Sequence, residues 1–195
     1  MKHLIIYAHP NTASFNHAIK EILVRVLKEK GQDIRVRDLY AMHFDPVLKA
    51  DDFQTFLEGK VPGDIAIEQD HVRWADQITF IYPVWWNRMP SIAGGYVDRV
   101  FFKGFAYDYL ATGAVGLLSG KRIYFITTLG APLTIAESSG AIKSMELAID
   151  NETFRFCAME MVGHKYFGSV TTVTDEDRKK MLEEIAGIAA SWPVK

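Results

Sequence analysis

Short apolar runs alternate along the chain with longer segments in which apolar residues recur every three or four positions. The runs at 4–8, 78–82 and 123–127 have the length and the β-branched and aromatic content of strands buried on both faces. A shorter strand is predicted at 34–37, and the last strand is predicted within 156–167. The segments between these strands have helical periodicity, so the pattern predicts alternating strands and helices.

Capping residues mark where several of the helices begin and end. Ser14 can cap the first helix and Gly31 suits its C-terminal end. Pro90 can begin the helix that follows the 78–82 strand, and Thr174 can cap the last one, with Asp177 placed as in a capping box. Further helices are predicted at 51–57, 64–74 and 141–154, and irregular segments at 103–120 and 128–140.

Strand and helix alternate about five times, which predicts an α/β fold: a doubly wound, five-stranded parallel sheet with helices on both faces. Five strands favour the flavodoxin-like strand order over the larger six-stranded dinucleotide fold. No internal repeat, low-complexity tract or linker divides the chain, so we expect a single domain over residues 1–195.

Composition narrows the possible partners. A net charge of −2, with both signs spread along the chain, provides no electrostatic basis for binding nucleic acid or an anionic membrane. No apolar stretch is long enough for membrane insertion, and the first apolar run is too short for a signal sequence. The single cysteine, Cys157, lies in an apolar run, which indicates an inert core thiol. We therefore expect a cytoplasmic protein.

Three loops are predicted to meet at the carboxyl edge of the sheet, where ligands bind in open α/β folds. The first places His9, Ser14, Phe15 and Asn16 at a helix N-terminus, which favours an anion such as a phosphate. The alternative is that Ser14 simply caps the helix and His9 is a surface residue.

The second loop, Val84-Trp85-Trp86-Asn87, carries two indoles that suit a flat aromatic ligand, although a core tryptophan pair is an equal alternative. The third loop offers hydroxyls and a glycine at Thr127, Thr128 and Gly130, or it is an ordinary turn. Together the three loops indicate a site for a nucleotide with a planar head group.

Several other kinds of site are not supported. No Gly-x-Gly-x-x-Gly follows the first strand, a P-loop-like segment at 116–121 has the wrong spacing, and the histidines lack metal-ligand spacing. We therefore expect no metal. Asp98-Arg99 is interpreted as a structural ion pair rather than an acid–base pair.

The loop sequences resemble the NAD(P)H:quinone oxidoreductase (DT-diaphorase) family of flavoproteins, over residues 3 to about 170. The matching motifs are His9-Pro10, Ser14-Phe15-Asn16, Tyr82-Pro83-Val84-Trp85-Trp86 with Pro90, Asp98-Arg99-Val100-Phe101, Gly104-Phe105-Ala106-Tyr107 and Thr127-Thr128 with Gly130.

The resemblance implies a homodimer with a flavin in each of two sites at the subunit interface. The flavin phosphate and ribityl end would be held by His9, Ser14, Phe15 and Asn16. The isoalloxazine would be lined by Pro83, Val84, Trp85, Trp86 and Asn87. Its pyrimidine side would be held by Thr127, Thr128, Leu129 and Gly130. Trp86, Tyr107 and Tyr109 would stack on the substrates, and Arg178 would reach the adenylate end of an FAD. FAD is the expected cofactor and FMN the alternative.

The implied activity is hydride transfer from NAD(P)H, through flavin N5, to a quinone or a similar small aromatic acceptor by ping-pong kinetics. No side chain is strictly required as acid or base. Ile135 and Ala141 stand where better-known members carry a Tyr and a His that assist proton transfer. An alternative is a flavin-binding regulatory subunit of a transporter such as a potassium-efflux system. A one-electron carrier of true flavodoxin type is disfavoured, because the Ser/Thr-rich phosphate loop and the acidic surface are missing.

Overall fold

A computed structural model describes residues 1–194 and contains the expected five-stranded parallel sheet. Its strand order, β2-β1-β3-β6-β7, is the flavodoxin-like order, so the predicted fold class is confirmed. The strands are β1 (Lys2–Tyr7), β2 (Asp33–Asp38), β3 (Gln77–Pro83), β6 (Arg122–Thr128) and β7 (Glu160–Phe167), and a separate antiparallel hairpin is formed by β4 (Tyr107–Leu110) and β5 (Gly113–Gly116).

Helices cover both faces of the sheet and create two apolar cores. One face packs against α1 (Phe15–Glu29) and α7 (Asp175–Ser191). The other packs against α3 (Gly63–Trp74), α4 (Ser91–Val100) and the π-helical segment Glu146–Arg155. The remaining helices are the shorter α2 (Ala50–Leu57), α5 (Leu133–Ser138) and α6 (Ala141–Met145). Among residues 1–194, no helix combines the length and the apolar character needed to span a membrane.

The alternation of side chains in β3 explains the two cores. All seven residues of β3 are buried, because this strand has a neighbour on each side and helices above and below. Ile78, Phe80 and Tyr82 face α3 and α4, whereas Ile81 faces α1 and α7. The continuous apolar run in the sequence therefore reflects a central strand covered on both faces.

Two segments predicted as irregular contain secondary structure. The segment 103–120 is not irregular throughout, because it contains the β4–β5 hairpin. The segment 128–140 contains the short helix α5. The helix predicted at 141–154 is present as α6 followed by the π-helical segment, where the backbone N–H of Phe156 donates to the carbonyl of Asn151, five residues earlier, at 3.1 Å.

The expected pairing of Asp98 with Arg99 was also wrong. Arg99 is buried and donates two hydrogen bonds to Asp52, at 2.9 and 3.1 Å, and one to Asp64 at 2.8 Å. A buried guanidinium needs such partners, and the two carboxylates come from α2 and α3. Arg99 therefore anchors the irregular region between β2 and α3 to α4, while Asp98 lies apart from this network.

Candidate functional site

A cavity of about 430 Å³ opens at the carboxyl edge of the sheet, where the loops after β1, β3, β6 and β7 meet. It lies across the ends of β1 and β3, where the strand order reverses, which is the ligand site of open α/β sheets. The lining residues are His9, Ser14, Phe15, Asn16, Pro83, Val84, Trp85, Thr128, Leu129, Gly130, Val170 and Thr171. The structure thus brings together all but three of the predicted cofactor-binding residues, namely Trp86, Asn87 and Thr127.

The N-terminus of α1 forms one end of this cavity. Ser14 is its N-cap, and the Ser14 hydroxyl accepts a hydrogen bond from the backbone N–H of His17 at 3.2 Å. The N–H groups of Phe15 and Asn16, in the first turn, have no intrahelical acceptor. These donors and the helix dipole favour an anionic group at this end of the cavity.

His9 contributes a neutral hydrogen-bond donor rather than a charge. The backbone N–H of Asn11 donates to Nδ1 of His9 at 3.0 Å, so in the neutral ring the proton lies on Nε2. Partial burial lowers the pKa of His9 from its ordinary value. The His9 ring also lies 6.3 Å from the ring of Trp85, which joins the first loop to the second.

Asn16 and Thr128 connect the first loop to the third. The Asn16 side-chain amide donates to the Thr128 hydroxyl at 2.8 Å, and both residues are buried. Among residues 1–194, the Asn16 Oδ1 atom has no hydrogen-bond partner. A buried carbonyl oxygen without a partner is unfavourable, so this atom needs a donor such as a ligand hydroxyl. The cavity wall therefore has an unused acceptor near the anion-binding end.

The second loop is a tight hairpin turn closed by two hydrogen bonds between Trp85 and Arg88, at 3.0 and 3.1 Å. Its two central residues, Trp86 and Asn87, have φ angles of 53° and 55°, as a type I′ turn requires. Trp85 lines the cavity, whereas the Trp86 side chain is 92% exposed. The alternative of a core tryptophan pair is therefore wrong, but Trp86 and Asn87 do not line the cavity either.

Thr127 and Thr128 lie next to each other but serve opposite faces of the sheet, as residues of a strand must. Thr128, Leu129 and Gly130 line the cavity. Thr127 is completely buried on the other face, and its hydroxyl lies 3.3 Å from Nε2 of His164. Thr127 can therefore affect a ligand through its backbone or through Thr128, but not by direct side-chain contact.

The fourth loop, after β7, was missed by the sequence reasoning. Its residues Val170 and Thr171 line the cavity, and the N–H of Val170 donates to the carbonyl of Leu129 at 3.1 Å. Gly168 is needed there, because an added Cβ atom would lie 2.6 Å from the backbone nitrogen of Leu133. The sequence could have predicted this loop, since β7 is a parallel strand whose carboxyl end is followed by Gly and Thr residues.

The predicted substrate-stacking tyrosines lie on the β4–β5 hairpin and do not line this cavity. The rings of Tyr107 and Tyr109 are 5.8 Å apart in an edge-to-face arrangement, and Tyr109 is exposed. The ring of Phe156 packs 5.3 Å from that of Tyr107. Ile135 is exposed as well and offers no acid or base. Trp86 and Tyr109 therefore present exposed rings that a stacking partner could cover, whereas Tyr107 is partly buried against the core.

A second groove, of about 380 Å³, continues from the anion-binding end of the cavity. Both cavities include Ser14 and Phe15, and the groove then follows the first turns of α7. Arg178 lines it, donating hydrogen bonds to Asp175 at 2.6 Å and to the carbonyl of Val170 at 3.1 Å. The two cavities therefore both border the N-terminus of α1, and the Arg178 guanidinium lies at the second.

The single cysteine, Cys157, is buried and free. Burial raises the pKa of the Cys157 thiol to about 11, which agrees with an inert core thiol. Within residues 1–194, no group of three or more His, Cys, Asp or Glu side chains is placed to hold a metal ion.

The strand order and the cavity define an α/β protein of the flavodoxin-like class. A sequence profile of the family described as having a flavodoxin-like fold matches residues 1–189, so the chain belongs to this family. The resemblance to NAD(P)H:quinone oxidoreductases is likewise confirmed by the relatives that follow.

An uncharacterized NAD(P)H oxidoreductase from Haemophilus influenzae is 39% identical over 184 residues, covering 94% of this chain and 91% of the relative. NAD(P)H dehydrogenase (quinone) 1 from Rattus norvegicus is 30% identical over 92% of this chain and 73% of its own length. The crystal structure of Smu.1420 from Streptococcus mutans superposes with a TM-score of 0.88 at 34% identity, covering 98% of this chain and 100% of that one.

Proposed function

We propose that this protein is a flavin-dependent NAD(P)H oxidoreductase that reduces quinones or similar small aromatic acceptors. The observation that carries the proposal is the cavity itself, because one edge of the sheet combines an anion-binding helix end, an unused buried acceptor and an indole wall. The names of the Haemophilus and rat relatives support the choice of NAD(P)H and quinone. When bound, the flavin would supply the hydride chemistry, with nicotinamide and acceptor using one site in turn.

The residues present fit a flavin at each part of the cavity. The first turn of α1 and the Nε2–H of His9 would hold the phosphate. The orphaned Oδ1 of Asn16 would accept a hydrogen bond from a ribityl hydroxyl. Trp85 and Val84 would border the ring system, and the backbone of Leu129 and Gly130 would face its polar edge.

We further propose FAD rather than FMN as the cofactor. The groove along α7 begins at Ser14 and Phe15, beyond the proposed phosphate position, and an FMN would leave it unused. Arg178 lies in this groove and could bind the second phosphate or the adenosine portion. The groove would therefore be occupied by FAD but not by FMN, and the choice of FAD depends on it.

A homodimer would complete the substrate site. Trp86, Tyr107 and Tyr109 present their rings outside the cavity of their own chain, which is the arrangement expected if they close the site of a second copy. We propose a cytoplasmic location for this dimer, in keeping with a reducing environment for its single buried thiol.

The direct test is to purify the protein, release any bound cofactor by heat and identify it by mass. We expect FAD, together with anaerobic bleaching of the bound flavin by NADH or NADPH and reoxidation by menadione faster than free flavin achieves. A protein without flavin contradicts the proposal. Retained flavin without turnover would instead favour the regulatory-subunit alternative.

A matched pair of helix caps tests the phosphate position. Ser14→Ala and Thr174→Ala each remove an N-cap hydroxyl that accepts a backbone N–H, at 3.2 and 3.1 Å. Both variants should lose about 1 kcal/mol of stability. Ser14→Ala should lower flavin affinity more than Thr174→Ala, because α1 begins at the proposed phosphate position whereas α7 begins at the second groove. Equal affinities in the two variants would contradict this placement.

A further inference from the structure

Three polar side chains, Asp150, His164 and Tyr166, form a buried cluster that the proposed function has not used. Nδ1 of His164 lies 3.1 and 3.2 Å from the two carboxylate oxygens of Asp150 and 3.0 Å from the hydroxyl of Tyr166. The His164 ring stacks on that of Tyr166 at 3.9 Å and lies 4.9 Å from Phe125. A buried carboxylate beside an imidazole is costly unless the two share a proton, so the cluster is an ordered polar unit.

The cluster lies on the other face of the sheet from Thr128, toward the carboxyl end of β6. His164 is in register with Phe125 and Tyr166 with Thr127, so both side chains lie near the carboxyl end of β6. Nε2 of His164 is 3.3 Å from the hydroxyl of Thr127, the residue before cavity-lining Thr128. Tyr166 packs in one apolar cluster with Leu129 and Val84, which both line the cavity.

The charges of the Asp150–His164 pair have a defined orientation relative to the cavity. Its carboxylate lies at the Nδ1 side of the imidazole, whereas Nε2 points to Thr127 and the carboxyl edge. A proton shared with Asp150 therefore places the positive end of the pair toward the cavity. Electrostatic interactions are stronger in the protein interior than in water, because the effective dielectric constant is lower there. Thr127 and Thr128 are consequently held from both faces, by His164 on one side and by Asn16 on the other.

We propose that Asp150, His164 and Tyr166 are a positioning network that fixes the end of β6 and raises the reduction potential of the bound flavin. This inference rests on the proposed function, because it requires a flavin in the cavity. It assigns an electrostatic role to residues outside the third loop, where Ile135 and Ala141 provide no polar group. The charged and titratable groups that face the cluster are Glu146 from the π-helix, which acts on Tyr166, and Tyr82 from β3.

Two tyrosines, Tyr166 and Tyr82, lie beside the Asp150–His164 pair. Burial, together with the nearby charge of Asp150, raises the pKa of Tyr166, so its hydroxyl stays protonated at every physiological pH. The Tyr82 hydroxyl is buried and has no partner among the described residues.

The experiment compares the flavin reduction potential of the wild-type protein with those of His164→Gln and Asp150→Asn, measured by equilibration with redox dyes. His164→Gln should lower the affinity for reduced relative to oxidised flavin about tenfold, or about 30 mV for a two-electron couple. The shift should be larger than in Asp150→Asn, because His164→Gln leaves an uncompensated carboxylate.

His3→Gln is the matched control. His3 is also buried on the sheet and hydrogen-bonded through Nε2, to Gln32 at 3.2 Å, but it lies in β1 at the opposite, amino edge. A merely structural histidine should lose stability on substitution without changing the potential, as we expect for His3→Gln. If His164→Gln behaves in the same way, with flavin bound and an unchanged potential, the inference is refuted.

Thr127→Val covers the case in which His164→Gln does not fold. It removes the hydroxyl opposite Nε2 while keeping the shape of the side chain, and it should lower the potential in the same direction. An unchanged potential in both Thr127→Val and Asp150→Asn would also refute the network. A wild-type protein that binds no flavin would instead refute the proposed function, so the two failures are distinguishable.

Discussion

The hydrogen bond between Asn16 and Thr128 offers a sharp test of how the cavity is held together. Thr128→Val removes the hydroxyl that accepts the Asn16 amide at 2.8 Å without changing the shape of the side chain. Asn16 Oδ1 already lacks a partner, so the substitution leaves the whole buried amide unsatisfied. We expect a loss of about 2–3 kcal/mol: about 1 kcal/mol for the bond, and the rest for the buried amide hydrogen.

Thr79→Val is the control for this substitution. Thr79 lies on β3, faces the same side of the sheet and is equally buried, but its hydroxyl has no partner among residues 1–194. Removing an unsatisfied hydroxyl should be neutral or stabilising by up to about 1 kcal/mol. The two variants thus make the same chemical change with opposite expected signs.

The assay is urea unfolding of flavin-free protein, because a bound ligand would add its own stabilisation. With a slope of about 2 kcal/mol per molar urea, Thr128→Val should lower the midpoint by about 1 M. Its flavin affinity should fall as well, since Thr128 lines the cavity. Equal midpoints for Thr128→Val and Thr79→Val would refute the reasoning.

Three further predictions concern other parts of the chain. Gly95→Ala should unfold the protein or cost several kcal/mol of stability, because its Cβ would lie 2.0 Å from a backbone oxygen. Gly94→Ala in the same helix has open space and should raise the stability by about 1 kcal/mol, so similar melting temperatures for the two variants would contradict this reasoning. Burial lowers the pKa of His3 to about 4, and its Nδ1 has no partner, so the free energy of unfolding should fall by about 2–3 kcal/mol as pH decreases from 6.5 to 4. His3→Gln should flatten this decrease, and an equally steep decrease in the variant would show that His3 does not cause it. Trp86→Ala should keep wild-type flavin content and stability but raise the KM for the acceptor, since the indole is exposed and outside the cavity; loss of flavin would place the indole against the ring instead.

The sequence by itself determined the fold class and the position of the site along the chain. Apolar runs such as 78–82 are sufficient to identify central parallel strands, because a strand covered on both faces buries consecutive side chains, which are therefore mostly apolar. The caps Ser14 and Thr174 were also predictable, since the N-cap hydrogen bond is local. Once the strands are parallel, their carboxyl ends must share one edge, so the loops carrying His9, Trp85 and Thr128 were expected to meet.

Only the tertiary structure decided which side chains reach the cavity. A one-residue step along β6 separates Thr128, which lines it, from Thr127, which faces the opposite core, and a tight turn carries Trp86 away from Trp85. The partners of buried charges were equally hidden, because they come from distant elements. Arg99 binds carboxylates 47 and 35 residues away, and Asp150 meets His164 only because the π-helix packs beside β7. Local periodicity records which positions are buried, whereas long-range packing determines which of them meet.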